Sequence, residues 1–219
     1  VITVPNAIDT DAFSPGVADE SLQKELGIVP DDIVVLVAAN FHGRKRPHDV
    51  VESAALALKK NRRLLYVMCG VGVLEDEIRQ LCREKKIDGR FRFPGWIDYD
   101  RMPHFTRLAD IAIIPSEVEG MARSYLEAMA CGCVLVASDI PPAKELLDDG
   151  VTGLLFSMGD VGELAARTVE AASNRELRAC MGERAREHVL PRSVERAVGA
   201  YVHEFEWVLN GGRSPGSNE

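Results

Sequence analysis

The sequence has no apolar run of the roughly 18 residues that a membrane-spanning helix needs, so no segment of it is expected to cross a bilayer. Its start, Val1-Ile2-Thr3-Val4-Pro5, lacks the charged segment and following apolar stretch of a secretory signal. It has no excess of positive charge: 26 Lys and Arg stand against 34 Asp and Glu, a formal net charge of −8. That balance disfavours a protein that tracks a nucleic-acid backbone or lies flat on an anionic bilayer, while leaving room for a local basic pocket. Cysteines are few and odd in number: Cys69, Cys82, Cys131, Cys133 and Cys180, mostly inside apolar segments. Reduced core thiols of a cytoplasmic protein are expected, not a disulfide framework. Cys131-Gly132-Cys133 is the one close pair, and without further ligands it is weak evidence for zinc. The histidines (His42, His48, His104, His188, His203) are dispersed, so neither a metal nor another cofactor is expected.

What is present is ample apolar material, 46% of 219 residues, enough for a large core without disulfides or structural metal. Short, uniformly apolar runs alternate with amphipathic stretches. The pattern predicts strands at 33–38, 64–69, 90–93, 111–114, 134–138 and 153–156. Helices are predicted at 47–61, 74–86, 100–108, 124–130 and 142–148, then throughout 161–209 with breaks near Asn174 and Pro191. Strands apolar on both faces, alternating with helices, predict an α/β fold with a doubly wound, Rossmann-like parallel sheet. Residues 15–31 read as a polar approach without an element, and residues 211–219 as a disordered tail. The chain lacks an initial Met and opens within what reads as a strand, as an excised domain would.

An open parallel sheet places its ligand site at the carboxyl ends of its strands. The loops there are 40–46, 70–73, 95–98, 116–123 and 139–142. In the first, Arg44-Lys45-Arg46 gathers three cations next to a helix start, a pattern suited to a diphosphate and equally to a solvated basic turn. Gly70-Val71-Gly72 permits a close backbone approach, although the third glycine of a dinucleotide fingerprint is absent. In the fourth loop Glu119 precedes a helix and Glu127 lies on it, so a continuous helix would carry both on one side. The amides of Gly120, Met121, Ala122 and Arg123 between them would form an anion cradle at the helix start. Carboxylates accept paired hydroxyl hydrogen bonds, which suits the vicinal diols of a sugar or ribose. The plainer alternative is a helix cap at Glu119 and a surface residue at Glu127.

The segment Pro115-Ser116…Glu119-Gly120…Glu127-Ala128-Met129-Ala130-x-Gly132, followed by the strand 134–138, resembles the signature of glycosyltransferase family 4. These are retaining enzymes of the GT-B architecture, and the paired glutamates look like their E-x7-E motif. The likeness runs through the chain in order: Val4-Pro5-Asn6-Ala7-Ile8-Asp9, Lys45-Arg46-Pro47, Gly70-x-Gly72, Phe93-x-Gly95, Ala109-Asp110 and Asp149-Gly150. It implies an interdomain linker and first strand over residues 1–16 and a donor-binding domain over 17–210, the C-terminal half of a GT-B enzyme. Lys45 would contact the donor diphosphate and stabilise the departing nucleoside diphosphate. Glu119 would hold hydroxyls of the transferred sugar, Glu127 would accept the ribose hydroxyls, and the backbone at Trp96 and Ile97 would read the base. Gly72, Arg44 and Arg46 complete the donor set. Asn40 stands where the family often has an arginine, so a second phosphate clamp would be missing or shifted to Arg44 or Arg46. The N-terminal domain would supply the acceptor pocket, any membrane contact and the remaining catalytic groups, and this part alone would be inactive. A sugar-nucleotide epimerase or phosphorylase of the same architecture is the alternative enzyme class, and a receiver-like binding module the non-enzyme one. The first would need catalytic residues not found, the second an acidic cluster where Arg44, Lys45 and Arg46 stand.

Overall fold

Each of the six apolar runs becomes a strand in the computed structural model, which describes residues 6–120 and 123–210. The strands are β1 (Ile33–Ala38), β2 (Leu64–Cys69), β3 (Phe91–Gly95), β4 (Ile111–Ile114), β5 (Val134–Ser138) and β6 (Leu154–Phe156). All pair in parallel, in the order β3-β2-β1-β4-β5-β6. A parallel sheet needs crossover connections, and α2 (Pro47–Lys60), α3 (Glu75–Glu84), α4 (Met102–Leu108), α5 (Arg123–Ala130) and α6 (Pro141–Leu146) supply them, while α1 (Glu20–Leu26) precedes β1 and α7 (Val161–Ser173), α8 (Arg175–Val189) and α9 (Val194–Leu209) follow β6.

Alternate strand residues divide the core into two layers. Val34, Leu36, Val67 and Ala112 face α4, α5 and α6, packing on Phe105, Leu126, Met129 and Leu146. Val35, Val37, Tyr66 and Ile113 face α2, α3 and α7, packing on Val50, Ala54, Ile78 and Leu164. Both faces of the central strands are therefore dry, which is why β1, β2, β4 and β5 carry no polar alternation. This is the doubly wound α/β fold the sequence predicts.

One expectation changes. Residues 15–31 contain α1, which a polar reading overlooks: the Asp19 carboxylate accepts from the Ser21 and Leu22 amides, Gly27 closes the helix in the left-handed region, and Leu22 and Leu26 are buried. With only two apolar positions in seven residues, its periodicity is too short to register. Within residues 6–16, expected as a linker, Phe13 is fully buried and Ile8 bridges Ser193 at the start of α9. The expected strand at residues 1–5 and tail at 211–219 lie outside the described residues.

Candidate functional site

The strand order reverses between β1 and β4, so the chain leaves those two strands toward opposite sides and opens a crevice at the carboxyl edge. Backbone hydrogen bonds set its floor and wall. The Ala39 amide donates to the Cys69 carbonyl at 3.0 Å, the Phe41 amide to Val71 at 3.0 Å, and the Gly70 amide to Gly95 at 2.8 Å. Three post-strand loops are thereby fastened together. Gly70 is the point where they touch: its φ is +137°, and a Cβ would lie 2.1 Å from the Ala39 carbonyl oxygen. Only glycine fits.

Across the crevice, the Glu117 amide donates to the Arg44 carbonyl at 2.8 Å, joining the loop after β1 to the loop after β4. The single helical turn Gly43–Lys45 then directs Lys45 at Glu119, and the ammonium contacts the carboxylate directly. Glu119 is nearly covered while Lys45 stays partly exposed. Beneath them, the buried Tyr125 hydroxyl has no hydrogen-bond partner among the described residues. Burial raises its pKa, and the neighbouring Glu119 charge raises it further.

The resulting cleft, about 480 Å³, is lined by Asn40, Lys45, Gly70, Trp96, Ile97, Tyr99, Met102, Arg123 and Glu127, with the ends of β1 and β2 as its floor. Glu127 is only 8% exposed. Burial pushes its carboxyl above the ordinary range, and the Arg123 guanidinium, 4.0 Å away, acts in the opposite direction. Arg123 also lies over the Tyr99 ring at 4.3 Å. Trp96 is 63% exposed at the rim, its indole N–H donating to Asp98 at 3.3 Å. A carboxylate in a low-dielectric wall accepts neutral hydroxyls readily, and cations beside it suit an anion. The arrangement can hold a molecule that carries both.

Of the residues singled out in the sequence, Asn40, Lys45, Trp96, Ile97, Arg123 and Glu127 meet at this cleft, with Glu119 joined to it through Lys45. Three others are placed elsewhere. Arg46 pairs with Asp49 at 2.6 Å and lies over Gly159, and Arg44 is exposed and contributes its carbonyl. Gly72 packs against the Phe41 backbone, behind the cleft, where Gly70 is the lining glycine. Gly120 is exposed beside the rim, while Met121 and Ala122 lie outside the described residues. The two glutamates do not share a continuous helix: α5 begins at Arg123, so Glu119 sits in the preceding loop and is held by Lys45 instead. Tyr99 and Met102 were not anticipated; they reach the cleft because α4 packs under it, and no spacing in the sequence signals that. Among the described residues no group of three or more His, Cys, Asp or Glu is placed to hold a metal ion. No described helix is long and apolar enough to cross a membrane.

A six-stranded parallel sheet of this order with a charged cleft at its switch point is a Rossmann-like domain, an architecture also found in GT-B glycosyltransferases. The family described as glycosyl transferases group 1 matches residues 18–188, and the chain belongs to it. It is 32% identical over 190 residues to an N-acetyl-alpha-D-glucosaminyl L-malate synthase of Bacillus anthracis, covering 86% of this chain and 49% of that protein. It is 29% identical over 213 residues to a D-inositol 3-phosphate glycosyltransferase of Geodermatophilus obscurus, covering 93% and 46%. The chain thus spans about half the length of the curated relatives it matches. Among solved structures, Anabaena HepE in complex with UDP and glucose superimposes with a TM-score of 0.84 at 22% identity, over 93% of this chain and 56% of that one. The C-terminal domain of a glycosyl transferase group 1 protein (LpcC) from Francisella tularensis gives 0.77 at 23%, over 85% of this chain and 99% of that domain.

Proposed function

We propose that this chain is the nucleotide-sugar-binding half of a retaining family 4 glycosyltransferase, needing no metal and inactive without an N-terminal domain. That domain holds a polysaccharide, lipopolysaccharide or glycolipid acceptor, and the whole enzyme works in the cytoplasm, against a membrane where the acceptor is a lipid. The observation that carries the reading is the convergence of Lys45, Glu119, Arg123 and Glu127 on one cleft at the carboxyl edge of the sheet. The family membership supports it, as do relatives named as glycosyltransferases and a structural neighbour that holds UDP and glucose.

In this reading Lys45 neutralises the diphosphate as the bond from the sugar to its phosphate oxygen breaks, stabilising charge where it develops. Glu119, released from Lys45, accepts hydroxyls of the transferred sugar. Glu127 accepts the ribose diol, and the backbone at Trp96 and Ile97 meets the base. The amides of Gly120 and Arg123 flank sugar and phosphate. A panel of UDP-, GDP- and ADP-sugars, without added metal, tests this by thermal shift. A ligand at about 100 times its Kd stabilises by about 2.7 kcal/mol, roughly 5–10 °C for a domain of this size. Lys45→Ala and Glu127→Ala should each abolish the shift. No shift with any member refutes donor binding, and sugar transfer by this chain alone refutes the half-enzyme assignment.

A further inference from the structure

We propose that the Arg123 side chain, held on the ring of Tyr99, is the second cation for the donor's diphosphate, a role that rests on the donor-binding reading above. A diphosphate carries at least two negative charges, and of the three cations on the loop after β1 only Lys45 reaches the cleft. Arg46, its neighbour, is committed to Asp49 at 2.6 Å and turned toward Gly159. Arg44 is exposed off the cleft wall. Asn40 lines the cleft but is neutral. The other cation on the wall is Arg123, which comes from the opposite side of the crevice on the first turn of α5.

Its two contacts leave its donors uncommitted. The guanidinium carbon sits 4.3 Å from the centre of the Tyr99 ring, a stacking contact that consumes no in-plane N–H. The approach to Glu127 is 4.0 Å, beyond hydrogen-bond reach, and the arginine side chain is 57% exposed, so that pair is weak. The planar fork can therefore take phosphate oxygens bidentately while the ring holds its plane. Tyr99 is half exposed, and its ring packs tilted against that of Phe13, which is fully buried, at 5.7 Å between centroids. Phe13, Tyr99 and Arg123 thus form a row of contacts from core to cleft, with Tyr99 as a positioning residue.

Calorimetric titration of UDP, GDP and ADP, each against its monophosphate, tests the assignment on the intact chain. For whichever base binds, Arg123→Gln should weaken the diphosphate about tenfold, 1.4 kcal/mol, and the monophosphate less than about threefold because it presents fewer oxygens to the fork. Tyr99→Phe should keep full affinity and Tyr99→Leu lose about threefold of it, since the ring face and not the hydroxyl holds the guanidinium. Arg44→Gln, which removes an exposed and screened charge, and Arg46→Gln, which removes a charge already paired with Asp49, should each change it less than about twofold. Equal losses for diphosphate and monophosphate, no loss in Arg123→Gln, or a comparable loss in Arg46→Gln overturns the proposal. Should Arg123→Gln fold poorly, the Tyr99→Phe and Tyr99→Leu pair decides, and equal affinities overturn it. Wild-type chain that binds none of the three diphosphates overturns the donor reading instead.

Discussion

Gly182→Ala sets two effects of the same substitution against each other. Gly182 lies in the middle of α8, where alanine favours the helix by about 0.5–1 kcal/mol over glycine. It also faces the end of α5, and a Cβ there would stand 2.0 Å from the Gly132 carbonyl oxygen, with the carbonyl carbon at 2.9 Å. Ordinary contact begins at 3.4 Å, so the two segments must part by more than an ångström. The atom in the way is backbone, with no rotamer to yield. Forced separations of this kind cost about 1–3 kcal/mol, and a backbone obstacle belongs at the top of that range, so the clash outweighs the propensity gain by about 2 kcal/mol. For a domain of this size that is a fall in Tm of about 4–8 °C. Gly199, mid-helix in α9 with nothing within 4 Å, is the matched control, and Gly199→Ala should leave Tm unchanged or raise it. Since α5 carries Glu127 and Arg123, Gly182→Ala should also weaken nucleotide-sugar binding. Calorimetry of the two variants side by side decides: a Gly182→Ala Tm at or above that of Gly199→Ala refutes the reasoning.

Burial holds the Glu127 carboxyl above its usual range, so the folded chain binds that proton more tightly than the unfolded chain does. Its contribution to stability therefore falls as pH rises from the unfolded value through the folded one. Glu127→Gln should raise Tm at pH 7, with the gain shrinking toward pH 4.5, while removing the nucleotide-sugar shift; a lower Tm at pH 7 refutes it. Burial likewise pushes the thiols of Cys69, Cys82 and Cys131 up to about 12, and that of Cys133 well above its usual value. Cys180 is exposed on α8, so alkylation of the native chain at pH 8 should label Cys180 first, and comparable labelling of Cys131 by mass spectrometry refutes this.

The sheet was legible because β1, β2, β4 and β5 are apolar on both faces, a signal local to four to six residues. Ile33–Ala38, Leu64–Cys69, Ile111–Ile114 and Val134–Ser138 match residue for residue. Helix α1 was not legible, because its signal is an Asp19 cap and a Gly27 stop around two leucines, too little for periodicity. The site was legible in part. Lys45, Glu119 and Glu127 stand out as charges at strand ends, but which of three adjacent cations enters the cleft depends on tertiary partners. Asp49 captures Arg46, and the Glu117 amide fixes the turn that aims Lys45. Tyr99 depends on Phe13, 86 residues before it, a coupling that no local pattern carries.

The charges of the cleft restrict its ligand more sharply than its shape does. Two cations and two carboxylates meet there: Lys45 against Glu119, and Arg123 beside a buried Glu127. An inorganic phosphate would draw the cations and leave the carboxylates without donors, Glu127 at the cost of its burial. A neutral sugar would satisfy the carboxylates and leave the cations unneutralised. A ligand that leaves neither set unsatisfied carries anionic oxygens between two groups of hydroxyls, spaced to fall one on each carboxylate. A nucleoside diphosphate sugar is built in that order, with ribose diol, diphosphate and sugar hydroxyls in sequence. Removing the charge at Glu119 or Glu127 should therefore weaken nucleotide sugar more than free phosphate, and removing it at Lys45 should weaken both.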